Sequence, residues 1–255
     1  VYVTASVGIA MAPHDGDTPA DLLRHADTAL YKAKSAGRNT LMFFNPAMAE
    51  EMLERHEIEI DLRMACTDGT LELYYQPIID LKTQEIVSRE ALMRWRHPTR
   101  GLVPPGIFIP IAEKSKLIIP LGDMIIRKAL AFLKTLEQKG YPDLSVSINI
   151  SAIQLLRPEF VSELMKLIHQ ARVLPKNVGI EITESVFAAD FDYINRVIGH
   201  LSDAGITVYI DDFGTGYSSL AREKELNVHC LKIDKFFTDQ LVEDDPETAI
   251  TGDII

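Results

Sequence analysis

Six runs rich in β-branched and aromatic residues follow one another from about residue 70, and segments with helical spacing separate most of them. The runs are LELYYQPIID, EIVSREALMRW, LSVSINIS, VGIEITES, ITVYIDDFG and CLKIDKFF. The clearest helical segments are KLIIPLGDMIIRKALAFLKTLEQKG, EFVSELMKLIHQA and DYINRVIGHLSDAG. Strands that alternate with helices predict an α/β fold with a largely parallel sheet, and each helix is expected to cover one side of it.

Polar residues stand at the carboxyl ends of five of these runs. They are Glu90, Asn149, Glu181, the pair Asp211 and Asp212, and Lys232 with Asp234. In a (β/α)8 barrel the catalytic residues sit at that face, because the loops that leave the strands meet there. Carboxylate and amide oxygens form a hard donor set, which suits Mg2+ or Mn2+ better than zinc. Two adjacent aspartates can hold a pair of ions if one carboxylate bridges them, an arrangement that serves phosphoryl displacement.

Each of these residues also has a simpler explanation. An Asp-Asp pair at a strand end is a common cap or turn feature, and Glu90 can be a paired surface carboxylate on an edge strand. Asn149 can simply satisfy a turn, and Lys232 can be an ordinary exposed or ion-paired lysine. Gly214 and Gly216, which follow the aspartates, can serve a sharp turn alone. The metal-site hypothesis therefore depends on the pattern across five strand ends and not on one residue.

The charge and cysteine content limit the class of partner and the compartment. The chain has 255 residues and a net charge of -11, which argues against a binding surface for a nucleic-acid polymer. Cys66 and Cys230 lie far apart and match no metal or redox spacing, so a reducing cytoplasm is the simplest setting. No apolar run approaches the roughly 18 residues of a membrane span. Any link to a membrane is expected from sequence outside this chain.

The first 46 residues follow a different pattern. VYVTASVGIA and TLMFF are predicted strands, and TPADLLRHADTALYKAKSAG between them is a predicted amphipathic helix with Gly37 at its end. So short a span cannot readily bury a core alone, so residues 1–46 are expected to be the tail of a larger domain. Residues 47–69 are a predicted linking helix and residues 70–255 a barrel domain. A start inside a strand and an end inside a helix-like run indicate a fragment.

The motifs of the second region resemble those of the EAL domain, the bacterial phosphodiesterase that opens cyclic di-GMP. SREALMRWRHPTRGLVPPGIFIPIAE carries the signature Glu90, Ala91 and Leu92, and YYQPI, SINISAIQL, EITES, DDFGTGYSSL and LKID follow in order. The first region is similar to the last part of a GGDEF domain, the diguanylate cyclase fold, through VTASVGIA and LLRHADTALYKAKSAGRN. The resemblance implies a TIM-like (β/α)8 barrel of the EAL type, without its last strands, after the tail of an α/β GGDEF domain.

The resemblance also implies two divalent ions, Mg2+ or Mn2+. The implied ligands of the first ion are Glu90, Asn149, Glu181 and Asp211. Asp211 and Asp212 are the implied ligands of the second ion, and Asp212 thereby takes part in catalysis. The implied reaction is hydrolysis of one phosphodiester of cyclic di-GMP to linear pGpG.

Five further residues receive roles from the same resemblance. Lys232 is implied to position or help activate the attacking water, and Arg94 to contact a ligand phosphate. Gln76 and Leu92 match positions near the ligand. Glu184 is implied to anchor the DDFGTGYSSL loop, which could couple metal binding to a homodimer through the barrel face near Tyr217.

Lys34 and Arg38 match GGDEF positions that contact nucleotide phosphates, but solvated helix-end charges are the favoured interpretation.

Three functions remain open at this point. The favoured one is a metal-dependent cyclic di-GMP phosphodiesterase, because every motif residue present is intact. The alternative is a catalytically silent cyclic di-GMP receptor that regulates a partner, and a third is another two-metal hydrolase with no preference for the cyclic dinucleotide. Six strands do not close an eight-stranded barrel. The resemblance implies that two further strands, with another acidic residue and a glutamine, lie beyond residue 255.

Overall fold

The computed structural model of the chain describes residues 3–188, 190–213 and 228–235. Its contacts divide the chain into two compact units, Val1–Met64 and Ala65–Ile255. Most of the DDFGTGYSSL motif, including Gly214, Gly216 and Tyr217, lies outside the described residues. Among the helices of the described part, none is both long and apolar enough to cross a membrane.

The first unit contains a strand–helix–strand motif. Strand β1 (Val7–Ile9) pairs in parallel with β2 (Leu41–Phe43), and helix α1 (Pro19–Ser35) connects them. The N-cap residue Thr18 accepts a hydrogen bond of 3.2 Å from the backbone N–H of Asp21. These elements match the predicted strand, helix and strand, although both strands are shorter than their apolar runs. Helix α2 (Pro46–Asp68) follows where the sequence predicts a linking helix, and the boundary between the units falls within it.

The second unit is built on one sheet of seven strands. They are β3 (Leu71–Ile79), β4 (Ile86–His97), β5 (Gly101–Val103), β6 (Ser145–Asn149), β7 (Val178–Thr183), β8 (Thr207–Phe213) and β9 (Cys230–Ile233). The order across the sheet is β3-β4-β6-β7-β8-β9, and the short β5 pairs with the end of β4. Strands β3 and β4 are antiparallel, whereas every pairing from β4 to β9 along this order is parallel. All six predicted strands are present, and β3 and β9 are the edges of the sheet among the described residues.

Helices follow the parallel strands along the chain. They are α3 (Pro105–Lys114), α4 (Ile118–Gln138), α5 (Ala152–Leu155), α6 (Phe160–Ala171) and α7 (Phe191–Asp203). Helices α4, α6 and α7 coincide with the three clearest predicted helices and contribute buried side chains to one core. The alternation of parallel strands with covering helices is that of a TIM-like barrel.

Two helices escape the sequence pattern. Helix α3 holds Pro105 at its start and Pro110 inside, residues that usually argue against a helix. Pro105 is tolerated because the first residues of a helix need no intrahelical N–H donor. Helix α5 has only four residues, too few to display a period.

Candidate active site

The two faces of the sheet carry different kinds of side chain. Alternate residues of the central strands enter the core shared with the helices: Val146 and Ile148 on β6, Val178, Ile180 and Ile182 on β7, and Val208 and Ile210 on β8. Because side chains alternate between the faces of a strand, the residues directly before and after these core residues belong to the other face. Those residues include Asn149, Glu181 and Asp211. The same apolar alternation that builds the core therefore gathers the predicted site residues on one face.

Three carboxylates from three strands converge on this face. Glu90 on β4, Glu181 on β7 and Asp211 on β8 each bring an oxygen to within 4.8 Å of the others. Asn149 on β6 lies beside Glu181 in the parallel register and donates a hydrogen bond of 2.9 Å from Nδ2 to Glu90 Oε1. We call Glu90, Glu181 and Asp211 the acid cluster. The four residues predicted to hold the first ion thus lie together.

The ammonium group of Lys232 contacts all three members of the acid cluster. Its Nζ lies 2.6 Å from Glu181 Oε2 and 2.9 Å from Glu90 Oε2. The distance from Nζ to Asp211 Oδ1 is 3.2 Å. The Glu181 side chain is fully buried (0% exposed) and that of Lys232 is 26% exposed, so these ion pairs are weakly screened by solvent. Three ionised carboxylates against one ammonium leave a charge of -2, which is equal in size and opposite in sign to that of a divalent cation.

The pKa values of these groups reflect burial opposed by ion pairing. Burial raises the pKa of Glu181, and the hydrogen bond from Lys232 offsets this only in part. Burial also acts to raise the pKa of Glu90, but the hydrogen bonds from Lys232 and Asn149 outweigh it, so this pKa is lowered. For Lys232, burial acts to lower the pKa, but the pairing with Glu181 and Glu90 raises it above its usual range. Glu90 and Lys232 therefore remain charged at neutral pH.

A β-bulge separates the two adjacent aspartates. The pairing of β8 with β9 runs in register to Ile210 and resumes with a shift at Phe213. Between them Asp212 has a φ of +54°, in the left-handed region that Asp tolerates better than most residues. The pKa of Asp212 is raised, first by partial burial and then by the charges of Asp211 and Asp234 and a hydrogen bond with Asp234. Asp211 belongs to the acid cluster, while Asp212 lies beside Asp234, to which the resemblance to the EAL domain assigns no role.

A cavity of about 560 Å3 adjoins the acid cluster. One part of its wall consists of Glu90, Asn149, Glu181 and Asp211. Another part is apolar and comes from α3, α4 and α5, with side chains that include Ile109, Ile118, Ile125 and Ile153. Such a combination of an apolar wall and a few convergent polar groups is typical of a ligand site.

The remaining predicted ligand contacts lie on β3 and β4. Leu92 and Arg94 share a strand face with Glu90, since they follow it at intervals of two, and both line the cavity. The Arg94 guanidinium lies 5.7 Å from the centre of the Tyr74 ring and makes no ion pair with another described residue. Gln76 pairs with Glu90 across the β3–β4 ladder, but it is exposed and does not line the cavity.

Glu184 lies directly after β7. It begins a 3-10 turn, Glu184–Ala188, and is 6% exposed. The loop that it is predicted to anchor is outside the described residues, so that role stays a prediction.

Comparison with known proteins identifies both regions. A family model described as the EAL domain matches residues 59–255. The chain belongs to the EAL domain family. A second model, the diguanylate cyclase GGDEF domain, matches residues 1–40. The prediction of an EAL domain preceded by part of a GGDEF domain is confirmed, and so is the TIM-like α/β fold class.

The relatives of this EAL domain include proteins named for both activities. A bifunctional diguanylate cyclase/cyclic di-GMP phosphodiesterase of Pseudomonas aeruginosa, MucR, is 36% identical over 255 residues, which are 100% of this chain and 37% of MucR. The cyclic di-GMP phosphodiesterase PdeR of Escherichia coli is 38% identical over 237 residues, 93% of this chain and 36% of PdeR. The chain thus spans little more than a third of these relatives.

Solved structures agree with the fold. The MucR phosphodiesterase in complex with c-di-GMP superposes with a TM-score of 0.72 at 35% identity, over 76% of this chain and 78% of that one. The EAL enzyme Bd1971 in its cAMP and cyclic-di-GMP bound form gives a TM-score of 0.76 at 30% identity, over 95% of this chain and 64% of that one.

Gly179 lies two residues before Glu181 on β7 of this EAL domain, where two side chains pack closely on its backbone. A Cβ at position 179 would lie 2.8 Å from Cε2 of Tyr209 and 3.0 Å from Cβ of Ser147. We expect Gly179→Ala to push these neighbours apart, to lower the free energy of unfolding by about 1–3 kcal/mol and to weaken Mn2+ binding. Urea unfolding and titration calorimetry with Mn2+ measure the two effects.

The matched control is Gly106→Ala, because a Cβ at Gly106 meets nothing within 4 Å and its φ is ordinary. The Mn2+ affinity of this variant should equal that of the wild type, and its free energy of unfolding should not fall, because alanine is the better helix former in α3. If Gly179→Ala also keeps the wild-type free energy of unfolding and Mn2+ affinity, the close packing of Tyr209 on β7 does not support the acid cluster.

Proposed function

We propose that this EAL domain hydrolyses cyclic di-GMP to linear pGpG with divalent metal ions held at the acid cluster. The observation that carries the proposal is the convergence of Glu90, Glu181 and Asp211 within 4.8 Å beside an open cavity. Relatives that match over more than nine-tenths of this chain are named cyclic di-GMP phosphodiesterases, which supports the choice of substrate.

The residues present fit a pair of hard divalent ions. Glu90, Glu181 and Asp211 offer carboxylate oxygens, and Asn149 offers its amide oxygen because its Nδ2 already donates to Glu90. Asp211 and Asp212 would hold the second ion, with Asp211 as the shared ligand. Mg2+ and Mn2+ prefer such oxygen donors, and the charge of -2 favours their binding. When bound, the ions supply polarisation of the phosphate and acidification of a water molecule.

Lys232 has two tasks in this scheme. Its ammonium holds the acid cluster together, since it contacts all three carboxylates. Its position also allows it to orient the attacking water and to stabilise the negative charge that develops on the phosphate. The pairing with Glu181 and Glu90 raises the pKa of Lys232, so in the metal-free site it is a cation.

The cavity provides for the rest of the ligand. Arg94 can contact a phosphate, because it lines the cavity and its guanidinium, which donates a hydrogen bond of 2.8 Å to the carbonyl oxygen of Met93, has no ion-pair partner among the described residues. The apolar wall from α3 and α4 can cover a purine ring, and Leu92 contributes to the same surface. Gln76, at the exposed edge strand, would approach the ligand from outside the cavity. Glu184 would act through the DDFGTGYSSL loop, and a homodimer near Tyr217 would involve that loop as well.

In the proposed reaction the oxygen of a water molecule forms a bond to phosphorus. The bond from phosphorus to a ribose 3′ oxygen breaks, and that oxygen takes up a proton. The cleaved phosphodiester becomes the 5′ phosphate of pGpG, while the second phosphodiester stays intact. Substrate positioning and electrostatic stabilisation account for most catalysis of this type.

The test is a product analysis of the 255-residue chain alongside the complete product of its gene. Each is incubated with cyclic di-GMP and Mg2+ or Mn2+, with and without EDTA, and the nucleotides are resolved by chromatography. We expect pGpG to accumulate only with a divalent ion, and cyclic di-AMP to remain intact. Glu181→Gln is the matched variant, since it keeps the size of the buried side chain and removes its charge.

Two outcomes would contradict the proposal. Cyclic di-GMP that binds but stays cyclic under both metals would make the domain a receptor that controls a partner. Equal cleavage of cyclic di-AMP or of bis(p-nitrophenyl) phosphate would make it a general two-metal phosphodiesterase.

A further inference from the structure

The turn between β6 and α5 carries Asn149 and is held by a buried side chain. Asn149 is the last residue of β6, and Ser151 is the N-cap of α5 two residues later. Gln154 reaches back to this cap: its Oε1 accepts hydrogen bonds of 3.2 Å from both the backbone N–H and the hydroxyl of Ser151. This reciprocal capping closes the turn directly behind Asn149.

Gln154 is itself held by α4. It is 3% exposed, and its amide lies against Gly122, where an added Cβ would be 1.8 Å from Nε2 and 2.8 Å from Cδ. Only a glycine leaves room for the amide at this point of α4. Because a buried amide must keep its hydrogen bonds, Gln154 cannot turn away from Ser151 without a free-energy cost.

The other side of the turn is tied to the acid cluster. The backbone N–H of Ile150 donates a hydrogen bond of 2.8 Å to the carbonyl oxygen of Glu181. Asn149 itself donates to Glu90 through Nδ2, at 2.9 Å. A relaxed turn would therefore move the Asn149 amide relative to both glutamates.

We propose that Gln154 is a positioning residue that holds Asn149 against the acid cluster, with Gly122 as the seat of its amide, and so sets the affinity of the site for its divalent ion. This inference rests on the proposed function. Residues behind a metal ligand typically change metal affinity about 10–100-fold when they are altered, because they fix the orientation of the ligand.

Two variants test the proposed role of Gln154, one at Gln154 itself and one at Gly122. Gln154→Leu keeps the side-chain volume but removes the acceptor for Ser151, and Gly122→Ala expels the amide from its seat. Alanine is the better helix former, so Gly122→Ala would otherwise favour α4. Each is compared with a control of the same chemistry: Gln170→Leu, at an exposed position of α6, and Gly106→Ala, where a Cβ meets nothing within 4 Å.

The primary measurement is the dissociation constant for Mn2+ without nucleotide, by titration calorimetry. We expect Gln154→Leu and Gly122→Ala to raise it about 10–100-fold and both controls to leave it within twofold. The KM for cyclic di-GMP at saturating Mn2+ should stay near the wild-type value in both test variants. Binding of cyclic di-GMP in EDTA is measured as well, because Gln154 also lines the cavity.

Several results would overturn the inference. Folded test variants with wild-type Mn2+ affinity would show that Asn149 is held without Gln154. Loss of cyclic di-GMP affinity in EDTA with intact Mn2+ binding would make Gln154 a ligand contact. If Gln154→Leu does not fold, Gly122→Ala carries the test, because it displaces the Gln154 amide and leaves the residue in place, and an unchanged Mn2+ affinity there would equally refute the role. A wild-type chain that binds no divalent ion would refute the proposed function itself, a result distinct from silent variants.

Discussion

Replacement of Lys232 by methionine is expected to abolish hydrolysis and to make the stability of the EAL domain depend on a divalent ion. The ammonium contacts all three carboxylates of the acid cluster, and Glu181 is fully buried. Loss of one partner of a buried ion pair typically costs 3–5 kcal/mol. We expect the lower end, about 3 kcal/mol, since Lys232 is 26% exposed and Glu181 can take up a proton to relieve part of the cost.

Melting temperatures in EDTA and at saturating Mn2+ test this expectation. Because the ion would then be the main positive charge in the acid cluster, Mn2+ should raise the melting temperature of Lys232→Met by more than that of the wild type. The control is Lys176→Met, which removes an exposed ion pair with Asp143 whose side chains are 61% and 86% exposed. That change should shift the free energy of unfolding by less than about 0.5 kcal/mol. An Lys232→Met domain with wild-type stability in EDTA would show that the ammonium does not hold the carboxylates together.

Asp211→Asn is expected to lose activity without losing stability. The domain should stay folded but should neither bind the ion nor cleave the substrate. Asparagine keeps the shape of the side chain but reduces the charge of the cluster from -2 to -1. Folding should change little, because the lost contact with Lys232, at 3.2 Å, is offset by weaker repulsion from Glu90 and Glu181. Mutation of a residue that only orients a metal ligand typically lowers metal affinity about 10–100-fold. Loss of a charged ligand itself should therefore weaken Mn2+ binding and hydrolysis by at least about 100-fold.

Titration calorimetry with Mn2+ and chromatography of the products measure the two losses, and urea unfolding verifies the fold. Asp143→Asn is the matched control, because its carboxylate is 86% exposed and its one ion-pair partner among the described residues is Lys176. We expect this variant to bind Mn2+ and to form pGpG as the wild type does. Unchanged Mn2+ affinity in Asp211→Asn would remove Asp211 from the metal site and leave Asp212 with Asp234 as the aspartates to test.

Much of the secondary structure can be predicted from the sequence, because it depends on local residue chemistry. Runs of β-branched residues and helical spacing predict all six strands of the sheet order and the helices α4, α6 and α7 of the second unit. Helix α3 was missed because Pro105 and Pro110 conceal it, and α5 because four residues show no period. The gathering of Glu90, Asn149, Glu181 and Asp211 was also predictable, since parallel strands bring their carboxyl ends to one edge.

Neighbouring residues in sequence and neighbouring residues in space differ most at Asp211 and Asp212. The sequence presents them as one pair, and period-two alternation would place them on opposite faces of a regular strand. Asp211 follows this alternation and belongs to the acid cluster, whereas Asp212, within a bulge and with a φ of +54°, lies beside Asp234. Whether a strand is regular or bulged depends on its pairing with β9, which no local pattern reports.

The sequence of this protein therefore specifies which residue types end each strand and which face they share, because side-chain alternation and residue chemistry are local properties. The tertiary structure specifies the contacts made by those residues. It places the Lys232 ammonium among three carboxylates from β4, β7 and β8, and it seats Gln154 against Gly122 of a different helix. Strand register and helix packing decide these contacts, and both arise from interactions between residues far apart in the chain.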